Sequence, residues 1–131
     1  MKIEVSIGEV VDKVSILQIK LEKITDSAKL NNVRKEFDLL KNSMESIGIT
    51  TSSPEYCQLK SVNLSIWNIE DEIRKKELSG SFDEEFIQLA RSVYIRNDER
   101  ACLKRSINIA YNSLIVEEKE YTEYRRSGSN G

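Results

Sequence analysis

Histidine is absent from the 131 residues. That absence removes Ser-His-Asp and Cys-His catalysis and the commonest zinc, copper and haem ligand sets. Only two cysteines occur, Cys57 and Cys102, far apart and without CxxC spacing. They read as two separate thiols in a reducing cytosol rather than a disulfide framework. One proline and five glycines leave few breakers, which argues against a sandwich or barrel. No glycine-rich phosphate loop exists: Gly8, Gly48 and Gly80 fall where helices begin or end. No apolar run approaches the roughly 20 residues of a membrane span. The opening MKIEVSIGE has neither an apolar signal core nor a small-residue cleavage pattern, so a cytoplasmic protein without membrane contact is expected. Charge of one sign is lacking too. The net charge is −2 with acids and bases interspersed, so no nucleic-acid partner is expected.

What the chain does have is helical periodicity. Ser6-Ile7-Gly8-Glu9 matches a capping box, which starts a first helix at Ile7. Its apolar positions Ile7, Val10, Val14, Leu17, Leu21 and Ile24 repeat at 3-4-3-4-3, and Val11, Ile16 and Ile19 widen the stripe. That width predicts more than one neighbour. Asp26 caps a second helix with Leu30, Val33, Phe37, Leu40, Met44 and Ile47 in phase, stopped by Gly48. Ser52 or Ser53 with Pro54 opens a third, with a seam of Leu59, Val62, Ile66, Ile69 and Ile73. A second capping box, Ser81-Phe82-Asp83-Glu84, starts a fourth helix that either breaks near Asn97-Asp98, with Asp98 as a new N-cap, or, the favoured reading, runs unbroken to about Tyr124. At 1.5 Å per residue it would span roughly 60 Å and overhang its neighbours. The expected fold is therefore all-α: an antiparallel helical bundle of four helices with a long C-terminal helix, a single domain over residues 1–124, and a flexible tail over 125–131. The overhang must bury Ile107, Ala110, Tyr111, Leu114 and Val116, which predicts a homodimer through helix four.

The inward phase of that helix is interrupted. Phe86, Ala90 and Val93 give way to Asn97, Arg100 and Lys104, with Asp98 beside them, before Ile107 resumes the seam. Buried charge is kept in a bundle only when it is paired, wetted or used. A register-fixing salt-bridge layer accounts for it, and so does a site whose two cations take a phosphate or carboxylate. On the third helix Asn63, Trp67, Glu70, Asp71 and Arg74 run along one side, Trp67 being the only tryptophan. Its ring suits either a packed interface or stacking on a ligand. Charge complementarity sets Glu70 or Asp71 opposite Arg100 or Lys104. Glu9 with Asp12, and Glu117 with Glu120, are i,i+3 carboxylate pairs of the kind that hold Mg²⁺ in helical hydrolases. Among 22 acids two such pairs arise by chance, and the capping box already explains Glu9, so no metal and no cofactor are assigned.

The segments IEVSIGEVVDKVSILQIKLEKI, VNLSIWNIEDEIR, LARSVYIRNDERACLKRSIN and VEEKEY, in that order, resemble a family of short bacterial and phage-encoded proteins of unknown function. The resemblance extends from Ile3 to Tyr124. It implies a helical protein without an assigned activity, and its matching positions include Asp12, Lys13, Glu22, Trp67, Glu70, Asp71, Arg74, Asn97, Asp98, Arg100 and Lys104. No clear nucleophile–base pair accompanies the missing histidine. The leading expectation is an accessory module that binds a protein partner through a bundle face. The alternative is a small-molecule-binding or enzymatic bundle with an Arg/Lys-lined site for an anionic ligand, chemistry that needs no histidine.

Overall fold

The computed structural model describes residues 1–125. Its four helices are α1 (Ile7–Lys23), α2 (Ser27–Ser46), α3 (Pro54–Ser79) and α4 (Glu84–Ala110). Local chemistry sets their starts. The Ser6 hydroxyl accepts from the Glu9 N–H at 3.1 Å, and the Asp26 carboxylate accepts from Lys29 at 2.9 Å. Pro54 occupies the first turn of α3, where a missing N–H costs nothing. The N-cap of α4 is Asp83, two residues beyond the expected Ser81, and its carboxylate accepts from the Phe86 N–H at 2.9 Å.

The ends of α2, α3 and α4 are set by left-handed residues. Gly48 and Gly80 have positive φ just past α2 and α3. Helix α4 stops at Ala110, not near Tyr124. Asn112 adopts φ 53°, and the Ser113 N–H donates to the Asn108 carbonyl at 2.8 Å. Asparagine tolerates this conformation better than other non-glycine residues, so it terminates the helix as glycine does elsewhere. At 27 residues α4 is about 40 Å long, close to α3 and well short of the expected 60 Å.

Helix α1 is the hub and lies against all three others, whereas α2 lies against α1 alone. The core joins Val11, Val14 and Leu17 of α1, Phe37 and Met44 of α2, Ile49 of the α2–α3 loop, Tyr56 and Leu59 of α3, and Ile107 of α4. All of this sits at one end of the α3–α4 hairpin. No residue of α3 beyond Asn63, and none of α4 before Ile107, is buried. Leu64–Ser79 and its α4 counterpart therefore project about 24 Å as a two-helix arm. The expected overhang is thus reversed. Ile107 is in the core and Tyr111 packs against it, while Ala110, Leu114 and Val116 are exposed around and after the helix end. No described helix is long and apolar enough to cross a membrane. All but the first residue of the expected tail, 125–131, lies outside the described residues.

Candidate functional site: a polar layer and its uncovered continuation

Two stripes run along α1. One carries Val14, Leu17 and Leu21 into the core with α2. The other is Gly8, Asp12, Ser15 and Ile19, spaced 4-3-4, every one buried. This second stripe meets the hairpin, first at α4 and then at α3. The Gly8 N–H donates to the Asn108 Oδ1 at 2.6 Å. A Cβ at Gly8 would stand 2.5 Å from the Lys104 carbonyl oxygen, so only glycine permits this approach.

One turn on, the Asp12 carboxylate is fully buried. Arg100 Nε donates to its Oδ1 at 2.9 Å, and a terminal guanidinium N–H donates to Oδ2. Asn63 Nδ2 donates to Asp12 Oδ1 at 2.9 Å and to the Ser15 hydroxyl at 2.8 Å. Lys104 Nζ donates to Glu9 at 2.6 Å and stands 3.8 Å from Asp12 Oδ2. Among the described residues no buried side-chain nitrogen or oxygen lacks a partner. The hydrogen bond to Asp12 holds the Arg100 guanidinium above its ordinary pKa, against the opposing effect of burial. Arg100 and Lys104 do point inward, as their phase required. Their carboxylates come from α1, however, and not from Glu70 or Asp71; Glu70 acts on Arg100 only through its field. The carboxylates of Glu9 and Asp12 are thereby occupied by cations. Among the described residues no group of three or more carboxylates and thiols could hold a metal ion.

The remaining positions on α4 serve otherwise. Asn97 Nδ2 donates to the Val93 carbonyl of its own helix at 3.0 Å. Asp98 lies beside the Tyr124 hydroxyl and raises that phenol's pKa. The segment after Asn112 folds back along α4. Tyr124 packs edge-on against Tyr94 with ring centres 5.0 Å apart, and Arg105 pairs with Glu118. Between this segment and α4 lies a cleft of about 270 Å³ whose lining includes Asn97, Arg100, Lys104, Arg105 and Lys119. Three of its cations already face carboxylates: Asp12, Glu9 and Glu118. Cys57 and Cys102 are both free thiols and both exposed.

A family model matches residues 1–130. The chain belongs to the family of unknown function DUF6165. No curated protein and no solved structure matches it.

In this DUF6165 chain the third helix carries the other informative stripe. Tyr56, Lys60, Asn63, Trp67, Glu70 and Arg74 follow one another at 4-3-4-3-4. The first three are covered by α1: the Tyr56 hydroxyl donates to Gln18, Lys60 donates to Glu22 at 2.7 Å, and Asn63 reaches Asp12. Burial pushes the Tyr56 phenol above its usual pKa. The last three continue along the same face after α1 has passed. Trp67, Glu70, Asp71 and Arg74 line an open groove of about 330 Å³. Arg74 pairs loosely with Glu70 at 3.5 Å, and Lys75 with Asp71 at 3.3 Å.

The nine residues singled out from sequence thus divide into three sets. Asn63, Arg100 and Lys104 belong to the buried layer; Trp67, Glu70, Asp71 and Arg74 share the groove; Asn97 and Asp98 lie along α4 by the returning segment. Sequence reasoning missed Asp12 as the acceptor of the layer, together with Ser15, Gly8 and Asn108. The available signal was the second 4-3-4 stripe, whose small and polar members look solvent-facing until a polar neighbour is known.

Proposed function

We propose that the protein is an accessory docking module whose working surface is the projecting α3–α4 arm. One observation carries this reading: the face of the hairpin that α1 covers at the base continues uncovered through Trp67, Glu70 and Arg74. The same face of α4 carries Val93, half-exposed, and Ala90, small and exposed. A helix seated there would extend the packing that α1 begins. Tryptophan is among the residues that most often anchor such contacts, because it buries much area at little rotamer cost. Acids and bases balance on this face, which favours a protein over a nucleic acid or an anionic membrane.

An anionic ligand in the cleft between α4 and the returning segment is the weaker reading. A phosphate there would have to displace carboxylates already seated on Arg100, Lys104 and Arg105.

Site-specific photocrosslinking tests the docking role. A crosslinker in place of Trp67 should give one defined protein adduct, and one in place of Lys35, exposed on α2, should give none. Identical patterns at both positions, or no adduct at Trp67, would contradict it.

A further inference from the structure

We infer, building on the docking reading above, that the arm is covered by a second copy of this chain, two hairpins pairing antiparallel about a two-fold axis. Such an interface presents one patch to itself, so that patch must be self-complementary. The charge order along α3 meets this condition. Glu70, Asp71 and Glu72 precede Arg74, Lys75 and Lys76. A two-fold axis near Glu72 sets Glu70 of each copy against Arg74 of the other. At the arm's tip Lys76 is held by Asp83 and Glu85 of its own chain at 2.9 and 3.3 Å, so the exchange rests on Glu70 and Arg74.

Glu70, Asp71, Arg74 and Lys75 are available for exchange. The Glu70–Arg74 and Asp71–Lys75 pairs are solvent-exposed i,i+4 contacts longer than 3.2 Å, which contribute little in water. The apolar surface needs covering as well. A single helical hairpin offers each seam one neighbour only, so Ile66, Ile69 and Ile73 stay half-exposed. At the arm's edge and tip, Leu78 is 90% exposed, Ile87 47% and Tyr94 43%. A second hairpin converts two helices into four, the arrangement in which such seams close. Ala90 lets the facing backbones approach.

Sedimentation equilibrium of the full chain from micromolar to millimolar concentration tests this. The expected mass is twice the 15.1 kDa of one chain. Glu70→Arg and Arg74→Glu each place like charges across the axis and should weaken the dimer roughly tenfold or more. An equimolar mixture of the two variants should restore it, because the arginines of one then face the glutamates of the other. Circular dichroism confirms that each variant is folded. A monomer throughout the range overturns the inference; a defined crosslink from position 67 to a different protein would then leave the docking reading standing. A dimer indifferent to the variants and their mixture overturns it also, since the contact would lie elsewhere.

Discussion

Asp12 of α1 and Arg100 of α4 form a two-contact ion pair that fastens the first helix across the base of the hairpin. The carboxylate is fully buried and Asn63 completes its shell. Removing Arg100 leaves the buried Asp12 with Lys104 alone as counter-charge, 3.8 Å away, and removing Asp12 takes from Arg100 the carboxylate that holds it. Asp12→Ala or Arg100→Ala should each lower unfolding stability by about 3–5 kcal/mol. Replacing both with leucine should cost less than the two single changes summed. Urea titration of the four proteins measures the coupling; additive losses would show that the pair acts independently.

Gly8→Ala should destabilise by about 1–3 kcal/mol, the range for overpacking. The added methyl meets backbone, not a side chain able to swing away. Relief requires α1 to lift from α4, which lengthens the Gly8–Asn108 hydrogen bond. Amide exchange at Gly8 should therefore accelerate along with the loss of stability. An alanine variant as stable as the parent would refute the close approach.

Helix starts were legible because they rest on local chemistry. Ser6, Asp26 and Pro54 act within their own first turns, and Gly48 supplies its own positive φ. The end of α4 was harder to read. Asn112 is a weaker stop signal than glycine, and the apolar residues after it imitate a continuing helix. The inward turn of Arg100 and Lys104 was legible from phase alone. Their partners were not, because which helix faces α4 is a tertiary fact and Asp12 looks like an ordinary surface acid. Trp67 and its neighbours were legible as one side of α3. That α1 covers this side at Asn63 and leaves it open at Trp67 follows from where α1 crosses.

Tyr56 makes stability fall at alkaline pH. Its phenol is held neutral in the folded state by burial, so its folded pKa lies above the ordinary value near 10. Below pH 10 both states carry the proton and the contribution is intact. Above pH 10 the unfolded chain ionises first, and stability drops as pH rises. Melting temperature should decline from about pH 10 upward, and the slope should flatten in Tyr56→Phe. That variant should also cost about 1 kcal/mol at neutral pH through the lost bond to Gln18. An unchanged alkaline slope in Tyr56→Phe would assign the effect to another group.

Inorganic phosphate should leave the melting temperature unchanged at constant ionic strength. Three of the four cations lining the cleft beside α4, Arg100, Lys104 and Arg105, are matched by Asp12, Glu9 and Glu118. Arg105→Ala should be close to neutral, since its pairing with Glu118 is exposed. A dose-dependent thermal shift with phosphate, abolished in Arg105→Ala, would instead establish an anion site.

The docking face is tested most directly by the fluorescence of Trp67, the only tryptophan in the chain. Iodide quenching should be efficient in dilute solution, where the ring stands partly exposed at the groove. It should fall severalfold, with a blue shift in emission, as concentration rises through the range in which the second copy binds. Quenching and emission that stay constant while the mass doubles would place the contact elsewhere and contradict the role given to this face.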